Sequence, residues 1–463
     1  MKSKSLLAVG LALILIQPAL GDENWPQWRG PALRGTAEAS GMPTSWGAEE
    51  NIAWKAHLPA WSGGTPIIWG DRVFVTSPSP SPAAAETAEQ SPPEQPRQFS
   101  RGRSGGRRGF GGFGARRDPG GAQLLLICIS KADGSELWRQ ELDQGNRQWG
   151  KQNSSSPSPV TDGEHVWAVT GTGAVAAFDM QGERIWEKNL QEQYGQFGLN
   201  WGYASSPLLH EGMLIIEVLH GNNTDDPSYI VAFDASTGKE IWREERDTDA
   251  RAESPDAYTT PVVLEHDGQV QIVVSGGDYV TGHDPATGRE IWRAAGLNPR
   301  RADNYRIIGS PVAVDGMIYA CTRKTPFLAL RAGGQGDVTE SHLAWKWEDR
   351  GAPDVPTPAC DGTHLYLVDD QGIASCVDAK TGEKFWGPQR TGNGTVSASP
   401  LLADGKLYIT NEQAITTVLA AGPEFKLLAT NETDGSYTLS SLAVSGGQLF
   451  LRTANYLYCI GSK

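Results

Sequence analysis

The sequence is short of the residues that most simple chemistries need. It holds five cysteines and eight histidines in 463 residues. Cys128, Cys321, Cys360, Cys376 and Cys459 are scattered and odd in number, with no CxxC and no adjacent pair. That excludes a disulfide framework and a cysteine zinc site. Isolated histidines leave little for acid–base work, and no clustered carboxylates, HxxxH or Gly-Ser-x-Gly elbow stands out. A basic excess is also missing. The formal charge is −14, which argues against a body that grips nucleic acid phosphates. Long apolar runs are absent too. The longest, Leu6 to Ile16, follows Lys2 and Lys4 and precedes Gln17-Pro18-Ala19-Leu20-Gly21. It is too short to span a bilayer and reads as a secretory signal peptide, residues 1–21, cleaved near Gly21. The expected product is periplasmic or secreted, has no transmembrane anchor and is a monomer.

What is abundant is a repeat. Ser/Thr-Pro is followed by two or three apolar residues, Asp-Gly or a similar pair, an alternating strand, and then Asp-x-x-x-Gly-x-x-x-Trp. The clearest copy runs from Thr357-Pro358 through Asp361-Gly362 and Asp378 to Gly382 and Trp386. The opening prolines are Pro66, Pro159, Pro207, Pro261, Pro311, Pro358 and Pro400, with Leu442 in the eighth slot. They recur about 40–55 residues apart, once residues 77–121 are set aside as an insert. Four short alternating segments per unit make a four-stranded blade, and blades stack because none buries both faces alone. The prediction is an all-β, eight-bladed β-propeller of four-stranded antiparallel blades over residues 22–463. The eighth unit stops one strand short after Cys459-Ile460. The segment Ile52–Lys55 resembles Glu240–Arg243, a fourth strand, and is predicted to close the last blade.

Some features stand outside the repeat or vary within it. Residues 77–96 are rich in Pro, Ser and Ala. Residues 97–121 are rich in Gly and Arg and lack apolar surface, so 77–121 is expected to be disordered. Such an arm could bind RNA, an acidic polymer or a membrane surface; the reading taken is a tolerated loop extension in blade one. Cys128, Cys376 and Cys459 occupy matching third-strand positions, where blades two and three carry Ala176 and Ala232. Cys360 and Cys376 lie on strands two apart, too far for a bridge. Blade five has a longer loop at 331–341, and blade seven has Lys426-Leu427-Leu428 where Trp is expected.

The repeats resemble the pyrroloquinoline-quinone (PQQ) repeat of bacterial quinoprotein dehydrogenases and of the periplasmic outer-membrane assembly propeller. The opening Asn24-Trp25-Pro26-Gln27-Trp28-Arg29-Gly30-Pro31 resembles the start of secreted, planctomycete-type PQQ-like propellers. The likeness is specific for fold and weak for function. It implies a site over the axis, where loops entering the first strands meet loops joining strands two and three. The entering loops supply Trp61, Trp149, Lys151, Asn153, Asn200, Trp201, Tyr203, Tyr258, Tyr305, Arg306 and Tyr437 as ligand-binding candidates. The other loops offer His220, Asn223, Asp278, Asp369, Asp370, Asn411 and Glu412, among others. Indoles and phenols beside amides and charges suit a flat ligand or a sugar chain. The alternative, that they pack against each other and plug the channel, stands equally. The quinoproteins hold PQQ against a Trp and a disulfide of adjacent cysteines, beside Ca²⁺. Here no Cys-Cys pair exists, and only Asp303, in Asp303-Asn304, resembles a catalytic Asp. The expected function is non-enzymatic binding of a protein or polysaccharide partner, with no cofactor, no metal and no nucleic acid. A PQQ- and Ca²⁺-dependent dehydrogenase of alcohols or sugars is the alternative.

Overall fold

A computed structural model describes residues 24–82, 118–221 and 223–462. The proposed signal peptide and residues 83–117 of the insert lie outside the described residues. Eight four-stranded antiparallel sheets are formed, as the repeat count requires. Blade three is typical. Leu208–His210, Met213–Val218, Tyr229–Asp234 and Glu240–Glu245 pair in sequence order. Its two middle strands are buried on both faces, and the seams between blades form the core.

The ring closes as the sequence predicts. Ile52–His57 pairs antiparallel with Tyr456–Ile460, Trp54 opposite Cys459 and Ala56 opposite Leu457. It supplies the fourth strand of blade eight, and thereby covers an edge that a linear stack would leave open.

The signature Trp works across the seam. Trp54, Trp138, Trp186, Trp242, Trp345 and Trp386 each donate their indole N–H to a carbonyl of the next blade. The acceptors are Lys131, Met180, Ala235, Pro285, Ala379 and Gly422, at 2.8–3.1 Å. Trp292 is the exception. Blade five lacks the Asp-x-x-x-Gly turn, and Trp292 bonds Gln271 within its own blade. The longer loop of blade five instead adds Gly336–Asp337 as a short parallel strand outside blade four.

Five of the six indoles, all but Trp386, lie on the turn glycine of the neighbouring blade. A Cβ on Gly238 would stand 2.6 Å from Trp186, and Gly238 has φ +68°. Glycine is needed there for contact as well as for conformation. Gly238→Ala is expected to cost about 2–5 kcal/mol, summing overpacking and left-handed strain; urea unfolding would measure it.

Opposite each Trp, the third strand carries a small residue. Cys128, Ala232, Gly282, Ala329, Cys376 and Cys459 face Trp138, Trp242, Trp292, Trp345, Trp386 and Trp54. In blade two this residue is Ala177 rather than Ala176, since it is Ala177 that stands two residues before the turn Asp179, as Ala232 stands before Asp234. Blade seven inverts the pair. Ala429, not Leu427 or Leu428, holds the Trp slot, and the larger Val418 faces it. Trp46 from the N-terminal segment enters that seam, stacked on Tyr408 with ring centroids 6.4 Å apart. All five cysteines are buried free thiols, filling space as small apolar groups do.

The interruption in blade one is narrower than 77–121. Strand Arg72–Pro78 still pairs at Pro78 with Leu124, and Gly121 N–H donates to Ser79. Ser81 and Asp118 bond at 2.5 Å, joining the two flanks.

Candidate functional site

Each blade begins with the Ser or Thr of its Ser/Thr-Pro step, or Ser441 in blade eight, and these eight residues face the axis. The backbone N–H of each donates to the hydroxyl of the next: Thr65 to Ser158, Ser206, Thr260, Ser310, Thr357, Ser399, Ser441 and back to Thr65, at 2.9–3.3 Å. The circuit is complete and fixes the blade number at eight. Proline explains the motif, since its ring presets φ and offers no competing N–H.

Below the ring, residues 24–37 cross the channel and touch five blades. Trp25 exchanges two backbone hydrogen bonds with Ile68, and Thr161 N–H donates to Pro26. Leu209 N–H donates to the Gln27 side chain. Leu402 N–H donates to Gly35. Arg29 is 2% exposed; its guanidinium donates to the carbonyls of Pro400, Pro358 and Arg34. Among the described residues no carboxylate pairs with it, and burial lowers its pKa to about 9. The opening motif Asn24–Pro31 is therefore a plug. Its own residues carry no repeat, so periodicity could not reveal it.

Above the ring lies a cavity of about 520 Å³ over the axis, within the usual range for small-ligand sites. The eight hydroxyl residues and Trp28 line its inner end; Trp149, Lys151, Trp201, Tyr258, Arg306, Asp354 and Asp370 line the wall. Five of the sequence candidates thus converge: Trp149, Lys151, Trp201, Tyr258 and Arg306. The two loop sets share this face as expected, Asp370 coming from a loop between strands two and three.

The charges in the wall are largely paired. Lys151 sits at the tip of a small hairpin, Gln148–Trp149 with Gln152–Asn153. It reaches Glu412 of blade seven at 2.7 Å, which also accepts from Ser397. Arg306 pairs with Glu253 at 3.3 Å, and Glu253 accepts the Trp201 indole N–H at 2.8 Å. Asp354 differs. One carboxylate oxygen is buried without a hydrogen-bond partner, and burial raises its pKa to about 6.

The other candidates are placed in loop packing and do not line the cavity. Trp61 is buried, donates to the Asp118 carbonyl and meets Tyr437 edge-on at 5.7 Å. Asn153 is buried and donates to the Trp61 carbonyl. Asn200 accepts from Asn223. Tyr203 packs on Phe197, and Tyr305 is 7% exposed under its loop. Tyr437 donates to the Lys151 carbonyl at 3.4 Å. Asp303 is exposed, lies outside the cavity wall and pairs with Arg251 at 3.6 Å. The sequence reading passed over Trp28, Asp354 and the hydroxyl ring. Only the ring left a signal, as the residue before each counted proline.

A family model described as outer membrane protein assembly factor BamB matches residues 122–388. The chain belongs to this BamB-like family of PQQ-type propellers. Solved structures agree on the fold. BamB from Moraxella catarrhalis has a TM-score of 0.52 at 15% identity, covering 74% of this chain and 92% of that one. A europium-containing methanol dehydrogenase has 0.62 at 10%, covering 92% and 89%. Quinohemoprotein alcohol dehydrogenase from Comamonas testosteroni has 0.58 at 12%, covering 95% and 81%. At such identity these likenesses speak to fold alone. No curated protein matches the chain.

The BamB-like cavity does not reproduce the quinoprotein way of holding PQQ. No adjacent cysteines exist to stack on a quinone. Among the described residues no three His, Cys, Asp or Glu side chains gather as a metal-ligand group. The wall's cations Lys151 and Arg306 are held by salt bridges to Glu412 and Glu253 of other loops.

Proposed function

We propose that this BamB-like chain is an exported binding propeller, acting without catalysis as a monomer. Its mouth engages a protein or polysaccharide partner in the cell envelope. The observation that carries this reading is how the wall charges are spent. Lys151 on Glu412 and Arg306 on Glu253 brace the loops into a preformed aromatic cavity, and preorganisation favours binding. Among the described residues no His or Cys lines the cavity. The family's description as an assembly factor supports the same reading, and the apolar stretch Leu6–Ile16 behind two lysines supports export.

A thermal-shift titration with PQQ and Ca²⁺ tests it. A cofactor site would stabilise the fold by about 2.7 kcal/mol at a hundredfold excess over Kd. The expected result is no shift and no dye reduction with alcohols or sugars. A saturating shift with dye reduction would establish the dehydrogenase instead.

A further inference from the structure

The hydroxyl ring has unused capacity. Each of its eight hydroxyls accepts one backbone N–H, and none donates to a protein acceptor among the described residues. All eight residues are more than nine-tenths buried and line the cavity. Eight hydroxyl protons are thus available at its inner end, where buried donors need acceptors. Behind them sits Arg29, a buried cation with, among the described residues, no carboxylate partner and an unpaired Nε. In the wall, Asp354 Oδ1 is a buried acceptor without a donor. Trp28, Trp149, Trp201 and Tyr258 add aromatic surface.

Ligand classes can be weighed against this set. An anion would meet Asp354 and Asp370. A cation would meet the hydroxyl protons and Arg29. An apolar ligand would leave both the ring and Asp354 unsatisfied. An uncharged polyol answers every demand. Its hydroxyls accept from the ring and donate to Asp354, because a hydroxyl does both, while its C–H face lies on an indole. We infer that the axial cavity binds an uncharged sugar residue end-on, its hydroxyls held between the Ser/Thr ring and Asp354. This rests on reading the mouth as a binding site and names its ligand class.

The test is calorimetry with tryptophan fluorescence on the full exported chain. The probes are cellotriose, maltotriose and chitotriose, run beside sodium sulfate and spermidine. At least one trisaccharide should saturate and move the indole emission, with neither ion competing. Asp354→Asn should weaken it about tenfold or more, the scale of one lost charged hydrogen bond. Asp303→Asn, outside the cavity, should leave it unchanged. Affinity should also fall as pH drops through about 6, where Asp354 gains a proton. Arg306, Arg323, Lys151 and Asp370 are the charges that face it. The inference is overturned if no trisaccharide saturates by about 10 mM, if sulfate or spermidine binds in its place, or if Asp354→Asn has no effect. A protein partner that still docks, and is weakened by Trp201→Ala, would then leave the binding reading standing. PQQ-dependent dye reduction would remove both.

Discussion

Trp54→Ala is expected to destabilise the protein by about 3–5 kcal/mol, the range for a buried aromatic cut to alanine. Trp54 belongs to the only strand that blade eight borrows. Its ring meets Phe450 at 5.9 Å and lies on Gly134 of blade one. Its indole N–H holds the Lys131 carbonyl at 2.8 Å. The change therefore opens two seams at once, between blades eight and one and within blade eight. Among the described residues blade eight has no other outer strand. Truncation up to His57 should go further and abolish cooperative unfolding. Urea denaturation followed by tryptophan fluorescence would read both. A loss under about 1 kcal/mol, typical of a surface change, would contradict the role given to this strand.

Arg29→Ala carries the second large effect, again about 3–5 kcal/mol, the cost of leaving buried carbonyls unpaired. Three carbonyls, those of Pro400, Pro358 and Arg34, accept from its guanidinium. Truncation strands all three inside the channel, each at about 1–3 kcal/mol before relaxation. Arg29→Lys should recover only part of the loss, since an ammonium lacks the planar fork that reaches several carbonyls together. Equal stability of the Arg and Lys forms would mean that charge, not geometry, holds the plug. Glu217 gives a useful contrast. It is equally buried, but Thr259 donates to one oxygen at 2.6 Å and burial raises its pKa to about 8, so it can shed its charge at neutral pH. Arg29 keeps its charge below about pH 9 and must be held by carbonyls.

These two sites mark how far the sequence could be read. The strand at Trp54 was legible because it repeats a phrase, an apolar residue, Trp and a basic residue, as in Ala53-Trp54-Lys55 beside Ile241-Trp242-Arg243, whose meaning other blades supply. The blade count was legible for the same reason: seven prolines and Leu442 fall on one period. Arg29 was not legible. Two of its three partners, Pro358 and Pro400, lie more than 300 residues away in blades six and seven, and no pattern in Trp-Arg-Gly-Pro announces them. The cavity was half legible. Loop position alone placed Trp149, Trp201, Tyr258, Lys151 and Arg306 near the axis. It could not separate them from Asn153, two residues beyond Lys151, which turns away to the Trp61 carbonyl. That choice is settled by contacts between loops of different blades, which one-dimensional spacing does not carry. Asp354 was missed because it has no aromatic neighbours in sequence. The Trp slot of blade seven was misplaced by one or two residues because its repeat had lost the residue that sets the register.

The claim on which the cavity depends is that residues 52–57 seal the ring. Hydrogen exchange read by mass spectrometry tests it most directly. If the strand is the fourth of blade eight, peptides covering Ile52–His57 and Tyr456–Ile460 should be protected together and open only with global unfolding. Free exchange of 52–57 beside a protected 456–460 would contradict it.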